Sequence, residues 1–161
     1  MSIQKTGYYQ SPIGLITIKV TDQYISCISF KEEQIIVHET HPIIQETINQ
    51  LQQYFNSERK EFDLPLNQNG TEFQQRVWSE LSKIPFGKTI SYLELSKKIG
   101  DVKAIRAVGT SNGKNQIAII VPCHRVIGTD GSLTGYAGGL WRKQWLLELE
   151  NNLIAQQLKM F

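Results

Sequence analysis

Chemistry in this 161-residue chain concentrates in one hexapeptide, Val121-Pro122-Cys123-His124-Arg125-Val126. A thiol becomes a strong nucleophile once ionised, and a neighbouring imidazole base and a positive charge both favour the thiolate. The apolar run 117–121 and the proline before the cysteine argue the other way, because burial among apolar groups raises a thiol pKa and makes it inert. Adjacency alone does not decide, since neighbouring side chains of an extended chain point to opposite sides. His124 serves Cys123 only if a turn or a bridging water brings them together. The dipeptide therefore admits both a packed core cysteine and an activated nucleophile.

A second unusual segment is residues 103–111, Lys-Ala-Ile-Arg-Ala-Val-Gly-Thr-Ser. On a helix, Ile105 and Val108 face the core, while Arg106 and Gly109 lie on another side with Ala107 and Thr110 nearby. Glycine inside a helix costs ~1 kcal/mol relative to alanine. A face of small residues tolerates that cost where something approaches the backbone closely. A packed helix fits this requirement, and so does a nucleic-acid groove with Arg106 as the one long probe. Cys27 lies in a strand-like run and reads as a small core residue. His38 and His41 have helical spacing, but Pro42 follows at once and no nearby cysteine completes a site, so no metal is predicted.

Several elements must position these residues. Residues 15–20 and 24–30 are rich in β-branched and aromatic types and are separated by Thr21, Asp22 and Gln23, which predicts a hairpin. Pro42 to Phe55 carries Ile44, Ile48, Leu51 and Phe55 at helical spacing. Residues 56–70 are polar, broken by Pro65, and form the best linker candidate. Thr71 can cap a helix with the stripe Phe73, Val77, Leu81 and Ile84, and Ser91 a short one with Tyr92, Leu95 and Ile99. Gly100 and Asp101 end the latter and another helix begins at Val102, which is the outline of a helix-turn-helix. Residues 117–121 read as strand or extended chain, and a last helix runs from Leu140 to Glu150.

The 40% apolar content supports a core and excludes disordered and collagen-like classes. No run of ~18 apolar residues occurs, so no membrane-spanning helix is expected. The polar start of the chain lacks an apolar signal core, so a cytoplasmic location is expected. Residues 1–70 hold 5 Lys/Arg against 8 Asp/Glu, and residues 71–161 hold 12 against 7, net charges of −3 and +5. That asymmetry suits a basic face and a polyanionic partner on the second half, though a +5 balance alone is equally ordinary for a solvated surface.

The hexapeptide resembles the signature of the O6-alkylguanine-DNA alkyltransferases (methylated-DNA–protein-cysteine methyltransferases). The resemblance extends upstream through residues 73–78, 84–92 and 106–109, and downstream through 135–140 and the helix to Glu150, all in unbroken order. It implies an α+β fold. Residues 1–70 would form an RNase H-like αβ supporting domain with an antiparallel sheet, and residues 71–161 a mainly helical DNA-binding and alkyl-acceptor domain with a helix-turn-helix. It further implies a monomer that acts on double-stranded DNA carrying alkylated bases, with no cofactor and no metal.

In this resemblance Cys123 accepts the alkyl group, His124 acts through a water as its base, Glu150 holds the His124 tautomer and Tyr92 donates a proton or hydrogen bond to the leaving base at N3. Arg106 takes the space of the flipped base. Ala107, Gly109, Thr110 and Arg125 contact DNA. Asn115 is a hinge, Tyr136, Ala137 and Gly138 form the pocket loop, Val126 reads the guanine edge through its backbone, and Lys143 contacts the loop or a phosphate. Some family members carry serine where this chain has Ala137, which removes a side-chain hydroxyl from the O6 position and bears on lesion preference. Three rival readings are weaker. A non-catalytic lesion binder would lack Cys123, a transcription regulator needs base-reading side chains along the recognition helix, and a Cys–His hydrolase needs an oxyanion motif that is not evident.

Overall fold

The computed structural model describes residues 2–30 and 37–159, with 153–159 as backbone only. Met1, residues 31–36, and residues 160 and 161 lie outside this description. The chain divides into two compact units, Met1–Asn69 and Gly70–Phe161. No helix among the described residues is long and apolar enough to cross a membrane.

The first unit is an antiparallel sheet in the order β1 (Gln4–Ser11), β2 (Gly14–Thr21), β3 (Tyr24–Ser29), followed by helix α1 (Pro42–Phe55). The predicted hairpin is β2–β3. Asp22 and Gln23 both have positive φ (49° and 73°), as a two-residue turn matching the strand twist requires. Strand β1 was not anticipated, because its sequence is polar and only Gly7 and Ser11 are buried. Pairing with β2 makes it a strand, and close packing of α1 selects Gly7, where a Cβ would lie 2.4 Å from Ile44 Cγ2.

His38 and His41 have structural partners. Tyr8 N donates to His38 Nδ1 (3.1 Å), and Ile43 N donates to His41 Nδ1 (3.0 Å), which caps α1. Cys27, expected in the core, is only half-buried in β3. The linker candidate is also more ordered than its composition suggests. Ile25 N donates to Pro65 O (2.8 Å) and Asn67 N to Ile25 O (2.9 Å), so residues 65–67 run along β3 as part of the first unit.

The second unit packs helices α2 (Glu72–Leu81), α3 (Tyr92–Ile99), α4 (Ile105–Gly113) and α5 (Leu140–Lys159). Thr71 and Ser91 each close a capping box, with Gln74 and Glu94 respectively. Gly100 ends α3 with φ 99°, a conformation glycine adopts without a Cβ penalty. The Asp101 side chain then accepts from Lys103 N and α4 follows after one 3₁₀ turn, completing the helix-turn-helix. The Trp78 indole donates to Ser111 O (2.9 Å) and ties α2 to α4.

A two-residue parallel pair, β4 (Ile90–Ser91) with β5 (Val126–Ile127), anchors the chain on the far side of the hexapeptide. The strand or extended chain expected at 117–121 is instead a loop closed on itself. Val121 N donates to Ile117 O (3.1 Å) and Ile120 N to Ala118 O (2.8 Å). Ile117, Ile119 and Val121 are buried, so the apolar run marks the core correctly, but Ile119 has φ 71° and cannot continue a strand. A β-branched residue there is strained by roughly 1–3 kcal/mol.

Candidate active site

Pro122 introduces a three-residue 3₁₀ turn, Cys123–Arg125. With about three residues per turn, successive side chains fan out roughly a third of a revolution apart and do not point to opposite sides. This turn removes the alternation of an extended chain, which would send the Cys123 and His124 side chains to opposite sides. All six residues 121–126 are buried, with Cys123 8% and His124 0% exposed.

His124 Nε2 lies 2.7 Å from Glu150 Oε2, contributed by α5. A carboxylate there selects the tautomer with the proton on Nε2 and leaves the Nδ1 lone pair free. Nδ1 is buried and has no hydrogen-bond partner. The Glu150 carboxylate is held on every side. Gly87 N donates to Oε1 (3.1 Å), Arg125 Nε to Oε1 (2.9 Å) and Arg125 Nη2 to Oε2 (3.1 Å). Glu150 thus comes from a helix end that reads as solvated in the sequence, yet it is 1% exposed.

Arg125 corrects an expectation. Assigned to DNA contact, it is 6% exposed and turned inward, with Nη1 donating to Ile84 O (2.7 Å) and the Phe86 ring 5.8 Å from its guanidinium carbon. A buried Glu150 needs a buried cation, and that requirement outweighs any surface role.

Asn115 follows α4 and organises the loop before the cysteine. Its Nδ2 donates to Ile117 O (3.2 Å) and Val121 O (2.9 Å), and its side chain also hydrogen-bonds the Cys123 thiol. Tyr92 opens α3, and its hydroxyl donates to Thr134 O (3.2 Å). Lys143 is fully buried on α5, with Nζ donating to Thr134 O (2.8 Å) and Gly135 O (3.4 Å) and lying 6.0 Å from the Tyr92 ring centre. It therefore holds the loop 134–139. Within that loop the Tyr136 hydroxyl is buried without a partner, Ala137 is exposed, and Gly138 O accepts from Arg142 (2.8 Å). The Val126 N–H donates to Cys123 O.

On α4, Arg106, Ala107 and Thr110 are exposed, and Gly109 lies with its would-be Cβ 3.9 Å from the Tyr92 ring. The four sit on one face, opposite buried Val108, Ser111 and Asn112. Asn112 was overlooked in the sequence. Its Nδ2 donates to Cys123 O (3.4 Å), linking α4 to the thiol's own backbone. The available signal was an amide four residues after Val108, on the apolar side of the helix.

The electrostatics follow from burial. Desolvation pushes the Cys123 thiol up, and Asn115 and Lys143 offset this only in part. Desolvation likewise lowers His124 despite the Glu150 carboxylate. Burial would raise Glu150, but the hydrogen bonds from His124 and Arg125 and the Arg125 charge hold it well below the usual carboxylate range. Burial lowers Lys143 to about 8 and raises Tyr136 well above an ordinary phenol. Burial thus favours the neutral form of both the thiol and the imidazole. Among the described residues, no group of three or more His, Cys, Asp or Glu could hold a metal ion.

A helix-turn-helix unit with a buried Cys–His–Glu cluster, joined to a small αβ unit, defines a narrow class of protein. Residues 5–68 match the family model of the 6-O-methylguanine DNA methyltransferase ribonuclease-like domain, and residues 72–152 match that of its DNA binding domain. A methylated-DNA–protein-cysteine methyltransferase of Methanosarcina acetivorans is 45% identical over 150 residues, covering 89% of this chain and 96% of that one. One of Mycobacterium tuberculosis is 46% identical over 156 residues, covering 94% of each. The crystal structure of Mycobacterium tuberculosis OGT in complex with DNA superposes with a TM-score of 0.83 at 47% identity, covering 93% of each chain. This chain belongs to the methylated-DNA–protein-cysteine methyltransferase family. The matches bear out the family resemblance and the α+β fold expected from it, a ribonuclease-like first part and a helical DNA-binding second part.

Proposed function

We propose that this chain repairs duplex DNA by transferring the alkyl group of O6-alkylguanine, and less readily of O4-alkylthymine, irreversibly to its own Cys123. The observation that carries the reading is the His124–Glu150 pair beside a buried thiol, with the ring's other nitrogen, Nδ1, buried and unpartnered. The thiol proton passes through a water to His124 Nδ1. The sulfur then attacks the alkyl carbon, the S–C bond forms and the C–O6 bond breaks with its electron pair moving into the purine. Tyr92 donates its proton to the purine at N3, the proton held on His124 returns to the phenolate through solvent, and solvent exchange moves the N3 proton to N1, so the thiol's proton replaces the alkyl group and guanine is restored. The product is a thioether, which water does not readily cleave, so each molecule acts once.

The reacting carbon cannot be reached inside a base stack, so the nucleotide is extruded. Arg106, exposed on α4, fills the space it leaves, and Ala107, Gly109 and Thr110 give the shallow face that a minor groove admits. Asn115 serves as the hinge between α4 and the loop before the thiol. Tyr136, Ala137 and Gly138 wall the pocket, with Lys143 holding their loop. The exposed Ala137 offers a backbone N–H but no hydroxyl to O6, which bears on lesion preference. The chain works as a cytoplasmic monomer and needs no cofactor. Duplex DNA containing O6-methylguanine should add one methyl to the intact mass, and peptide mapping should place it on Cys123. An unmodified protein, or a methyl on Cys27, overturns the reading.

A further inference from the structure

We infer that Arg125 is a positioning residue for the transfer reaction: by matching the buried Glu150 carboxylate with a fixed cation, it keeps His124 a neutral base. The inference rests on Cys123 being the alkyl acceptor and His124 its base, as proposed above. It assigns to Arg125 a task that neither the DNA interface nor the thiol requires.

The argument begins with charge. Glu150 and His124 are 1% and 0% exposed, so their ionisation states are set by their neighbours and not by water. The charged and titratable groups that act on His124 are Glu150, Arg125 and Lys143, with the Cys123 thiol next to it in the chain. Lys143 donates to the carbonyls of Thr134 and Gly135. Arg125 is different. Its Nε and Nη2 meet both oxygens of Glu150 at 2.9 and 3.1 Å, and Nη1 is pinned to Ile84 O at 2.7 Å. A bidentate guanidinium is both the strongest and the most directional partner available to a carboxylate.

With Arg125 in place, the buried trio is electrically balanced when the imidazole is neutral. Remove that cation and the lone carboxylate is left to draw a proton onto His124. An imidazolium carries hydrogen on both nitrogens, so Nδ1 loses the lone pair that receives the thiol proton. The consequence is specific. Loss of Arg125 does not abolish the base; it raises the pH at which the base becomes available.

The test compares Arg125→Met, which keeps an apolar stem over Phe86, with Arg125→Lys, which keeps the charge. Full-length proteins react with duplex DNA containing O6-methylguanine across a pH series, and transfer to Cys123 is timed in single turnover. Arg125→Met should shift the low-pH limb of the rate profile upward by about one unit or more, slowing transfer by about tenfold on the acid limb, less at neutral pH, and recovering at alkaline pH. Arg125→Lys should restore most of the profile. A folded Arg125→Met variant that loses rate equally at every pH, or loses none, overturns the inference.

A second measurement needs no variant. Nitrogen NMR of wild-type His124 should show hydrogen on Nε2 and a bare Nδ1 throughout the neutral range. A cationic His124 at neutral pH overturns the inference even if every variant fails to fold. Wild-type transfer to Cys123 in the same assay checks the underlying reading separately, so the two failures are distinguishable.

Discussion

Lys143 and Tyr92 donate to the same carbonyl oxygen. The ammonium of one and the hydroxyl of the other reach Thr134 O at 2.8 and 3.2 Å. That single acceptor couples α5, α3 and the loop 134–139 around the thiol, and it holds a lysine where water cannot solvate its charge.

The cost of that placement is visible in pH. Burial lowers the Lys143 ammonium from 10.5 to about 8. Between these values the unfolded chain binds more protons at this position than the folded one, so the stability of the fold rises with pH across that window. Lys143→Met removes the linkage. The stability of the variant relative to wild type should therefore be highest below about pH 8 and fall toward about pH 10. Denaturation at the two ends of the window measures it, and a pH-independent difference contradicts the buried charge. Transfer by the same variant should be slower, because the loop loses its anchor.

Glu150→Gln keeps the shape of the side chain and removes its charge. Arg125 is then buried opposite a neutral amide, which costs about 3–5 kcal/mol as for other broken buried pairs. Urea denaturation should show that loss, and transfer should fall with it because the His124 tautomer is no longer dictated. A loss below about 1 kcal/mol, typical of an exposed pair, would mean Glu150 is solvated in solution.

Arg106→Ala separates DNA engagement from chemistry. The side chain is exposed, so stability should change by no more than about 0.5 kcal/mol. Transfer from duplex DNA should slow on the order of tenfold, since the vacated stack is left unfilled. Reaction with the free base O6-benzylguanine should keep its rate. Equal losses on both substrates would place Arg106 in the pocket instead. Duplex binding should also weaken with salt through counterion release.

Alkylation itself should destabilise the second unit. Cys123 is 8% exposed within a fully buried hexapeptide. An extra methyl in a closely packed site costs about 1–3 kcal/mol. Calorimetry before and after reaction with methylated DNA should show a lower Tm for the spent protein; an unchanged Tm would mean that the site has room to spare.

Local spacing in the sequence already determined much of this protein. The span Pro42–Phe55, the caps Thr71 and Ser91, and the stripe from Val77 to Leu81 emerge as read, because helix ends and apolar faces depend on residues three or four apart. The thiol and its neighbouring imidazole are legible for the same reason. Tertiary structure decided what distant polar groups do. Strand β1 exists through pairing with β2, and Asn115 turns an apolar run into a loop. Glu150 crosses 26 positions to reach His124, and it draws Arg125 inward from the surface where its type would place it. Periodicity shows which side of an element is apolar. It does not show which charges must be buried together, since that balance is struck only once the chain has closed around them.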